Sequence, residues 1–220
     1  MGATTPSPTI VLYDIDMRPP CAPNPWKARY ALNSKGVSYS KIWVDMPDIT
    51  KTRCDLGQTL DYVYANDLAV FAPLSKLNEK EHAEYARFNM NVDAAFSAPV
   101  LLMVHGLPLH PDTTEKTRAE FIKRSGVASE DDLTVRGKIR EELKASLHDT
   151  LGELAKLFRR DNTGSFLLGQ QASYADLVVG AWLRMMHGTL PAEEWEEAKA
   201  WHEGVFGKLN DALEKYALVN

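Results

Sequence analysis

Cysteine is nearly absent from this 220-residue sequence. The chain has two cysteines, Cys21 and Cys54, which are too few for the disulfide framework of a small secreted protein. Proteins without such a framework are typical of reducing compartments. We therefore expect a cytoplasmic protein whose cysteines are free thiols.

An excess of basic charge is also missing. The 25 lysines and arginines are outnumbered by 30 acidic residues, which gives a formal net charge of −5. Binding to nucleic acid requires clustered lysine and arginine that neutralise phosphates. The charge balance therefore argues against a nucleic-acid partner.

Long apolar runs and the common catalytic motifs are lacking as well. The longest apolar run, residues 98–104 (APVLLMV), is far shorter than the roughly 20 residues that cross a bilayer as a helix. Residues 1–8 are small and polar, so we expect a flexible tail there and no secretory signal. We find no Gly-rich phosphate loop, no nucleophile elbow and no metal-ligand spacing of histidines. The sequence thus predicts neither a membrane partner nor a metal.

The N-terminal part of the chain has the pattern of a strand, a helix and a second strand. Residues 9–13 (TIVLY) form an apolar run, residues 26–35 have helical spacing that stops at Gly36, and residues 37–45 alternate between polar and apolar types. A helix between two strands in about 40 residues indicates parallel strands joined by a crossover. We expect this small α/β domain to span residues 9–68.

The rest of the chain, residues 74–220, has helical patterns only. The predicted helices are a long one over residues 75–104 with a kink at Pro99, one from Thr113 to Gly126, one after the capping-box sequence 129–132, one after a second capping box at Ser173 and Asp176, and two short ones from Pro191 and about Glu203. The helix after the second capping box is apolar on all sides, which is typical of the centre of a bundle. An all-helical C-terminal domain is therefore predicted.

The turn before the first helix carries the residues with the clearest chemistry. Residues 21–27 read Cys-Ala-Pro-Asn-Pro-Trp-Lys, and proline favours a helix start. The positive end of a helix lowers the pKa of a nearby thiol and attracts anions. Cys21 is therefore either a reactive thiol or a loop cysteine without a function. Asn24 is either a ligand-binding residue or, in the interpretation we prefer, the N-cap of the helix.

A second group of residues could line an apolar pocket between the two domains. Aromatic rings and methionines suit hydrophobic small molecules, although the same residue types are more often plain core. His187 ends the apolar helix, and Lys27 and Arg29 could attract a carboxylate, although both are more often solvated. The apolar candidates are Tyr13, Trp26, Phe88, Met90, Phe96, Met103, Trp182, Met185 and Met186.

Three stretches of the sequence carry a family resemblance. Residues 22–33 (APNPWKARYALN) are similar to a turn that reads roughly S-P-N-x-W-K-x-R-Y-A-L-N in the fungal etherase-related, FuA-type branch of the glutathione transferases, and residues 43–49 (WVDMPDI) fit the same branch. Residues 169–177 resemble the capping box and hydrophobic staple of the buried helix in that superfamily. The resemblance implies a thioredoxin-like domain before a helical bundle, glutathione as the cofactor, a hydrophobic small molecule as the substrate and a possible homodimer.

The sequence departs from that branch in two places. Ala22 stands where the branch has a catalytic serine, and a methyl group cannot donate a hydrogen bond to the glutathione thiolate. Only about 20 residues separate Ile49 from Phe71, and neither a hairpin that starts at proline nor a Glu-Ser or Gln-Ser pair is found there. The resemblance therefore implies a shortened, truncated thioredoxin-like domain.

Three functions are open on the sequence alone. The resemblance implies a glutathione transferase in which the turn at residues 22–24 and the helix dipole hold the thiolate near a hydrophobic electrophile. A chain that has lost its glutathione site could be a glutathione-independent isomerase or cyclase, or a carrier of hydrophobic metabolites. The third function is a thiol transferase that depends on Cys21. The catalytic candidates are thus Cys21, Ala22 and Asn24.

Overall fold

The structure of the protein, a computed structural model, describes residues 10–55 and 83–219. The predicted tail at residues 1–8 lies outside the described residues. The part of the segment between Ile49 and Phe71 that follows Asp55 also lies outside the described residues. The same is true of the predicted boundary between the domains at residues 68–74.

The N-terminal unit contains two parallel strands and the helix between them. Strand β1 (Ile10–Ile15) pairs with strand β2 (Tyr39–Val44), and helix α1 (Pro23–Ser34) connects them. A short 3₁₀ turn and helix α2 (Ile49–Asp55) follow. The predicted parallel unit of strand, helix and strand is therefore confirmed.

The two faces of the small sheet have different surroundings. Leu12 and Asp14 of β1 are 7% and 1% exposed, whereas Val11 on the opposite face is 39% exposed. Successive side chains of a strand point to opposite faces, so this alternation identifies the face that α1 covers. On the other face, Tyr13 lies opposite Ile42, which is 44% exposed.

The C-terminal part consists of helices joined by loops, and no β-strand occurs among the described residues from Ala83 onward. Its helices are α3 (Ala83–Ser97), α4 (Leu101–Val104), α5 (Thr114–Ser125), α6 (Gly137–Phe158), α7 (Tyr174–Thr189) and α8 (Ala192–Leu213). Helix α7 is buried along most of its length and packs against α1, α3, α4 and α8. The prediction of an apolar helix in the centre of the bundle is thus confirmed.

Local sequence signals set several helix boundaries, and one of them was misplaced. Pro99 separates α3 from α4, and Gly126, with φ of 70°, ends α5. The Ser129 N–H donates to the Asp132 carboxylate at 2.9 Å, as a capping box requires. These residues open only a short 3₁₀ turn, however, and the long helix begins at Gly137. The capping box predicted the wrong helix start.

The capping box of α7 has the bonds that its sequence predicts. One carboxylate oxygen of Asp176 accepts hydrogen bonds from the Ser173 N–H and hydroxyl, each at 2.6 Å. The other oxygen accepts a bond from the Leu167 N–H at 2.7 Å. Burial raises the pKa of Asp176 although these bonds favour its charged form. The carboxylate therefore ties the preceding loop to the start of α7.

Helix α8 contains a left-handed turn near its middle. Trp201 leaves the helical conformation, and His202, Glu203 and Gly204 have φ values of 52°, 67° and 73°. A left-handed backbone costs a residue other than glycine roughly 1–2 kcal/mol. The turn divides α8 into two halves, in agreement with the two short helices that the sequence predicts.

Candidate functional site

The turn between β1 and α1 buries two of its three catalytic candidates. Cys21 and Ala22 are 1% and 5% exposed and form an apolar cluster with Met17. Side chains from the segment after α4, Leu107 among them, pack against this cluster. On α7, Gly188 lies so near that a Cβ atom added to it would come within 3.0 Å of the Cys21 Cβ. The turn therefore rests directly on the helical domain.

Burial makes the Cys21 thiol a poor nucleophile. Its S–H group donates to the Met17 sulfur, with 3.6 Å between the two sulfur atoms. Burial raises the pKa of Cys21 to about 12; the charge of Asp14 adds to this shift and that of Arg184 opposes it. The expectation that the helix end lowers this pKa is wrong, because the removal of the thiol from water outweighs the helix dipole.

Asn24 is the exposed residue of the turn. The N-cap of α1 is Ala22 and the helix begins at Pro23, so the preferred interpretation of Asn24 as the N-cap is wrong. Pro23 and Pro25 have no N–H, and the Trp26 N–H donates to the Ala22 carbonyl at 3.3 Å. Within the described residues, neither the backbone N–H nor the side chain of Asn24 has a hydrogen-bond partner. Both are available at the positive end of the helix.

Two cations of α1 are buried, which corrects the expectation that they lie on a solvated face. Arg29 is 0% exposed and pairs with Asp14 of β1, which is equally buried. Lys27 is 6% exposed and donates to Asn89 at 2.9 Å and to Asp93 at 2.6 Å. A buried cation is tolerated only when a partner compensates its charge. The two ion pairs therefore fix α1 to β1 on one side and to α3 on the other.

Asp93 joins three helices through one carboxylate oxygen. Its Oδ1 accepts hydrogen bonds from the Lys27 ammonium at 2.6 Å and from the Trp182 indole N–H of α7 at 2.7 Å. Trp182 also stacks on Phe96, with ring centroids 5.4 Å apart. Asp93 was not among the candidate residues predicted from the sequence. Its only signal was the spacing of Asn89 and Asp93, which places an amide and a carboxylate on one face of α3.

Most residues that were predicted to line an apolar pocket belong to the core. Trp26 and Met103 are 0% exposed, and Trp182 and Met185 are 6% and 7% exposed. All four belong to one cluster around α7, and the Trp26 indole donates to the Pro20 carbonyl at 2.8 Å. The plain core interpretation therefore describes these four side chains, and their burial leaves little of their surface for a substrate.

His187 and Tyr13 keep more contact with solvent. His187 is exposed at the end of α7 and stacks on Trp195, with ring centroids 4.9 Å apart. Partial burial, together with the charge of Arg184, lowers the pKa of His187 and favours its neutral imidazole. Tyr13 is half-buried on the sheet face opposite α1. Met90, on α3, is 61% exposed.

The described residues offer no metal centre and no membrane span. No group of three or more histidine, cysteine, aspartate or glutamate side chains within residues 10–55 and 83–219 is arranged to hold a metal ion. Each helix within these ranges is either too short or too polar to span a lipid bilayer.

Comparisons with known proteins give a consistent family and fold. Residues 82–216 match the family model described as the C-terminal domain of glutathione S-transferase. The structure of the glutathione S-transferase CsGST63524 of Ceriporiopsis subvermispora, solved in complex with glutathione, is similar over 97% of this chain and 99% of its own, with a TM-score of 0.78 and 23% identity. Glutathione transferase GSTFuA2 of Phanerochaete chrysosporium is similar over 97% of this chain and 100% of its own, with a TM-score of 0.73 and 21% identity. A comparison with curated protein sequences gives no match. The structural matches confirm the predicted fold class, a shortened thioredoxin-like domain followed by a helical bundle.

Proposed function

The chain belongs to the glutathione S-transferase family, and on this premise we propose that it binds glutathione at the start of α1 and transfers it to a hydrophobic small molecule. Asn24 carries the proposal. It is the exposed residue of the turn, and its backbone N–H and side chain have no partner among the described residues. The solved relative from Ceriporiopsis, which contains glutathione, supports the choice of ligand.

The start of α1 suits a thiolate for electrostatic reasons. A helix N-terminus carries a partial positive charge, and hydrogen bonds from neutral donors to an ionised group are stronger than those between neutral groups. In this protein two donors are available, the backbone N–H and the side-chain amide of Asn24. Ala22 has no hydroxyl and is buried, so Asn24 takes the place of the serine that the sequence lacks. We therefore assign the sulfur of glutathione to Asn24.

The cations of α1 have a supporting role in this proposal. Lys27 and Arg29 are engaged by Asp93 and Asp14, so neither is free to bind the carboxylates of glutathione. Their ion pairs instead hold α1 in a fixed position between the sheet and the helical bundle. For the hydrophobic substrate, Tyr13 and His187 are the predicted contacts whose side chains retain access to solvent.

A glutathione-independent function is the second candidate. The buried methyl group of Ala22 and the buried thiol of Cys21 favour it, because neither can donate a hydrogen bond to a bound thiolate. In that case the chain would be an isomerase, a cyclase or a carrier of hydrophobic metabolites. A thiol transferase that depends on Cys21 is disfavoured, since that thiol is 1% exposed and its pKa is raised to about 12.

Calorimetric titration with millimolar reduced glutathione distinguishes these functions. The proposal predicts saturable binding to the wild-type protein and unchanged binding to Cys21→Ala, followed by conjugation of a hydrophobic electrophile in a transferase assay. A folded protein that produces no binding heat would overturn the transferase and favour the glutathione-independent function. Loss of activity in Cys21→Ala alone would favour the thiol transferase.

The assembly and location of the protein remain expectations of the same proposal. We propose a homodimer in the cytoplasm, with a division between its two domains at residues 68–74. Sedimentation equilibrium of the full chain tests the dimer, because a dimer has twice the 24.6 kDa mass of the chain.

A further inference from the structure

Two histidines from different helices stack on each other at the left-handed turn of α8. The imidazole rings of His148, on α6, and His202, in the turn, have centroids 4.3 Å apart and planes inclined by 24°. Nε2 of His202 also lies 2.8 Å from the His148 carbonyl oxygen. Because a carbonyl oxygen can only accept, this nitrogen carries a proton and donates it. The ring of His202 therefore binds the turn to α6.

Further contacts hold the two rings in this position. Phe206, just after the turn, meets the His202 ring edge-on, with centroids 6.1 Å apart and planes at 90°. On α6, a Cβ atom added to Gly152 would lie 3.4 Å from the His202 ring. Trp201 meets the His148 ring edge-on, with centroids 5.3 Å apart. The two imidazoles are thus held face to face by contacts from both helices.

The backbone of the turn depends on side-chain contacts. His202 and Glu203 have φ values of 52° and 67°, a left-handed region that is unfavourable for residues other than glycine. Such a conformation persists only where the surrounding structure holds it. Here the contacts are those of the His202 ring with α6 and the ion pair of Glu203 with Arg159. A change that separates the two histidines therefore removes one of the two supports of the turn.

A positive charge on His148 is compensated. The carboxylate of Asp149 lies 3.2 Å from Nδ1 of His148, close enough for an ion pair once the ring is protonated. Lys144, one turn earlier on α6, is paired with Glu141 and Glu197. Histidine takes up its proton between about pH 5 and 8. The first proton that the pair binds on acidification therefore disturbs the stack little.

A positive charge on His202 has no such compensation. Glu203 is engaged by Arg159, and the cation Lys208 lines the same surface cavity as His202. Within the described residues, no carboxylate bonds to His202, and no charged side chain of α7 bonds to either ring. A second proton would place two cations 4.3 Å apart, where like charges repel. The remaining charged group near the turn is Lys199, which lies within 4.0 Å of Glu196 and Asp211.

We propose that His148 and His202 form an acid-sensitive latch that holds the left-handed turn of α8 against α6. With at most one charge on the pair the turn is closed, and protonation of both rings releases it. The opened turn binds the second proton more readily than the closed turn does. Closure is therefore complete at neutral pH and is lost as the pH falls toward about 5. This step requires no glutathione.

Release of the turn acts on the second half of α8. The Leu213 side chain at its end packs where Gly180 of α7 has no Cβ atom. The next residue, Glu214, pairs with Arg184 of α7 at 2.5 Å, and the Arg184 guanidinium lies 4.8 Å from the Trp26 ring of α1. The latch is thus connected, through contacts of α7 and α8, to the helix at which we propose that glutathione binds.

Hydrogen exchange of the full chain at about pH 7.5 and 5.5, followed by mass spectrometry of its peptides, tests the latch. Protection factors remove the intrinsic pH dependence of exchange. Those of residues 201–209 should fall at least about tenfold on acidification, because the turn opens locally. Those of residues 177–183, in the buried part of α7, should change little. Unchanged protection at residues 201–209, or an equal fall in both segments, would overturn the proposal.

A matched pair of histidine variants identifies the charge that is responsible. His148→Phe keeps a flat ring against His202 but cannot be protonated, so the protection of residues 201–209 should change less than about twofold between the two pH values. His105→Phe, at an exposed histidine after α4, should respond to acid as the wild type does. Protection at neutral pH reports whether each variant closes the turn. A fall in His148→Phe as large as in the wild type would contradict the latch.

Discussion

Lys27 and Asp93 form an ion pair, with 2.6 Å between the ammonium nitrogen and the carboxylate oxygen, that joins α1 of the N-terminal unit to α3 of the helical bundle. The Lys27 side chain is 8% exposed and that of Asp93 is 30% exposed. Trp182 of α7 donates to the same carboxylate oxygen. Asp93 therefore links the helical bundle to α1, the helix whose N-terminus is the candidate site.

Replacement of Asp93 should destabilise the protein. Asp93→Ala leaves the Lys27 ammonium and the Trp182 N–H without their shared acceptor. We expect a loss of about 2 kcal/mol in the free energy of unfolding. This is less than the cost of breaking a fully buried ion pair, because Asn89 still accepts a hydrogen bond from Lys27. Urea denaturation measures it. The double variant Lys27→Met with Asp93→Ala should recover part of the loss, and equal stability of Asp93→Ala and wild type would contradict the account.

The two cysteines should differ sharply in reactivity. Cys21 is buried with a pKa of about 12, whereas Cys54 is exposed on α2. Because the thiolate is the reacting species, iodoacetamide at neutral pH should modify Cys54 and leave Cys21 intact in the folded protein. Mass spectrometry of the intact chain should show one adduct on the wild type and none on Cys54→Ser. An adduct on Cys21 that forms at the rate of Cys54 would refute the buried thiol.

A close approach between the segment after α4 and the end of α7 depends on a glycine. A Cβ atom at Gly106 would lie 1.8 Å from the carbonyl oxygen of Thr189, so the backbone has to move to admit it. Gly106→Ala should therefore lower the unfolding free energy by about 2 kcal/mol. Gly152→Ala on α6 is the control: its Cβ would meet only the His202 ring, at 3.4 Å, and alanine favours the helix by about 0.5–1 kcal/mol. Thermal unfolding should shift in opposite directions for the two variants, and a common direction would contradict this prediction.

An ion pair between α6 and α8 should make stability depend on pH. Arg140 binds both oxygens of Glu194, at 2.7 and 2.5 Å, and its hydrogen bond is the main cause that lowers the pKa of Glu194 below 4.5. A carboxyl group whose pKa is lower in the folded state than in the unfolded state stabilises the protein at a pH above its unfolded-state pKa. This stabilisation is lost as the pH falls through the folded-state pKa. Glu194→Gln should cost about 1–2 kcal/mol at pH 7 and progressively less in acid below the unfolded pKa.

Denaturation curves of Glu194→Gln and of its exposed neighbour variant Glu193→Gln, recorded at neutral pH and in acid, measure this difference. Glu193→Gln should follow the wild type at each pH. A cost for Glu194→Gln that is the same in acid and at neutral pH would show that its carboxylate charge contributes nothing.

Local signals in the sequence predicted the parts of the fold that depend on a few neighbouring residues. Pro99 ends a helix because of its own ring, and Ser173 and Asp176 form their capping box across three residues. The burial of the lysine and the arginine of α1 could not be predicted in this way. Lys27 is indistinguishable from a surface lysine until α3 supplies Asp93, and nothing near it in the sequence indicates that contact.

The candidate site shows the same limit for a chemical property. The turn sequence shows that Cys21 lies near a helix start, which favours a low pKa. It does not show that Met17 and Leu107 surround the thiol or that Gly188 lets α7 approach it. Burial by Met17, Leu107 and the end of α7 reverses the direction of the pKa shift. Asn24, the exposed residue of the turn, was among the candidates, but the preferred interpretation made it the N-cap of the helix.

The central claim is that Asn24 receives the sulfur of glutathione, and calorimetric titration of reduced glutathione into Asn24→Ala and Asn24→Asp tests it most directly. Asn24→Ala should weaken binding by about fivefold through loss of the side-chain donor, and Asn24→Asp by tenfold or more because its charge repels the thiolate. Cys21→Ala is the control and should bind as the wild type does. Dissociation constants that are the same for the wild type and both Asn24 variants would contradict the account.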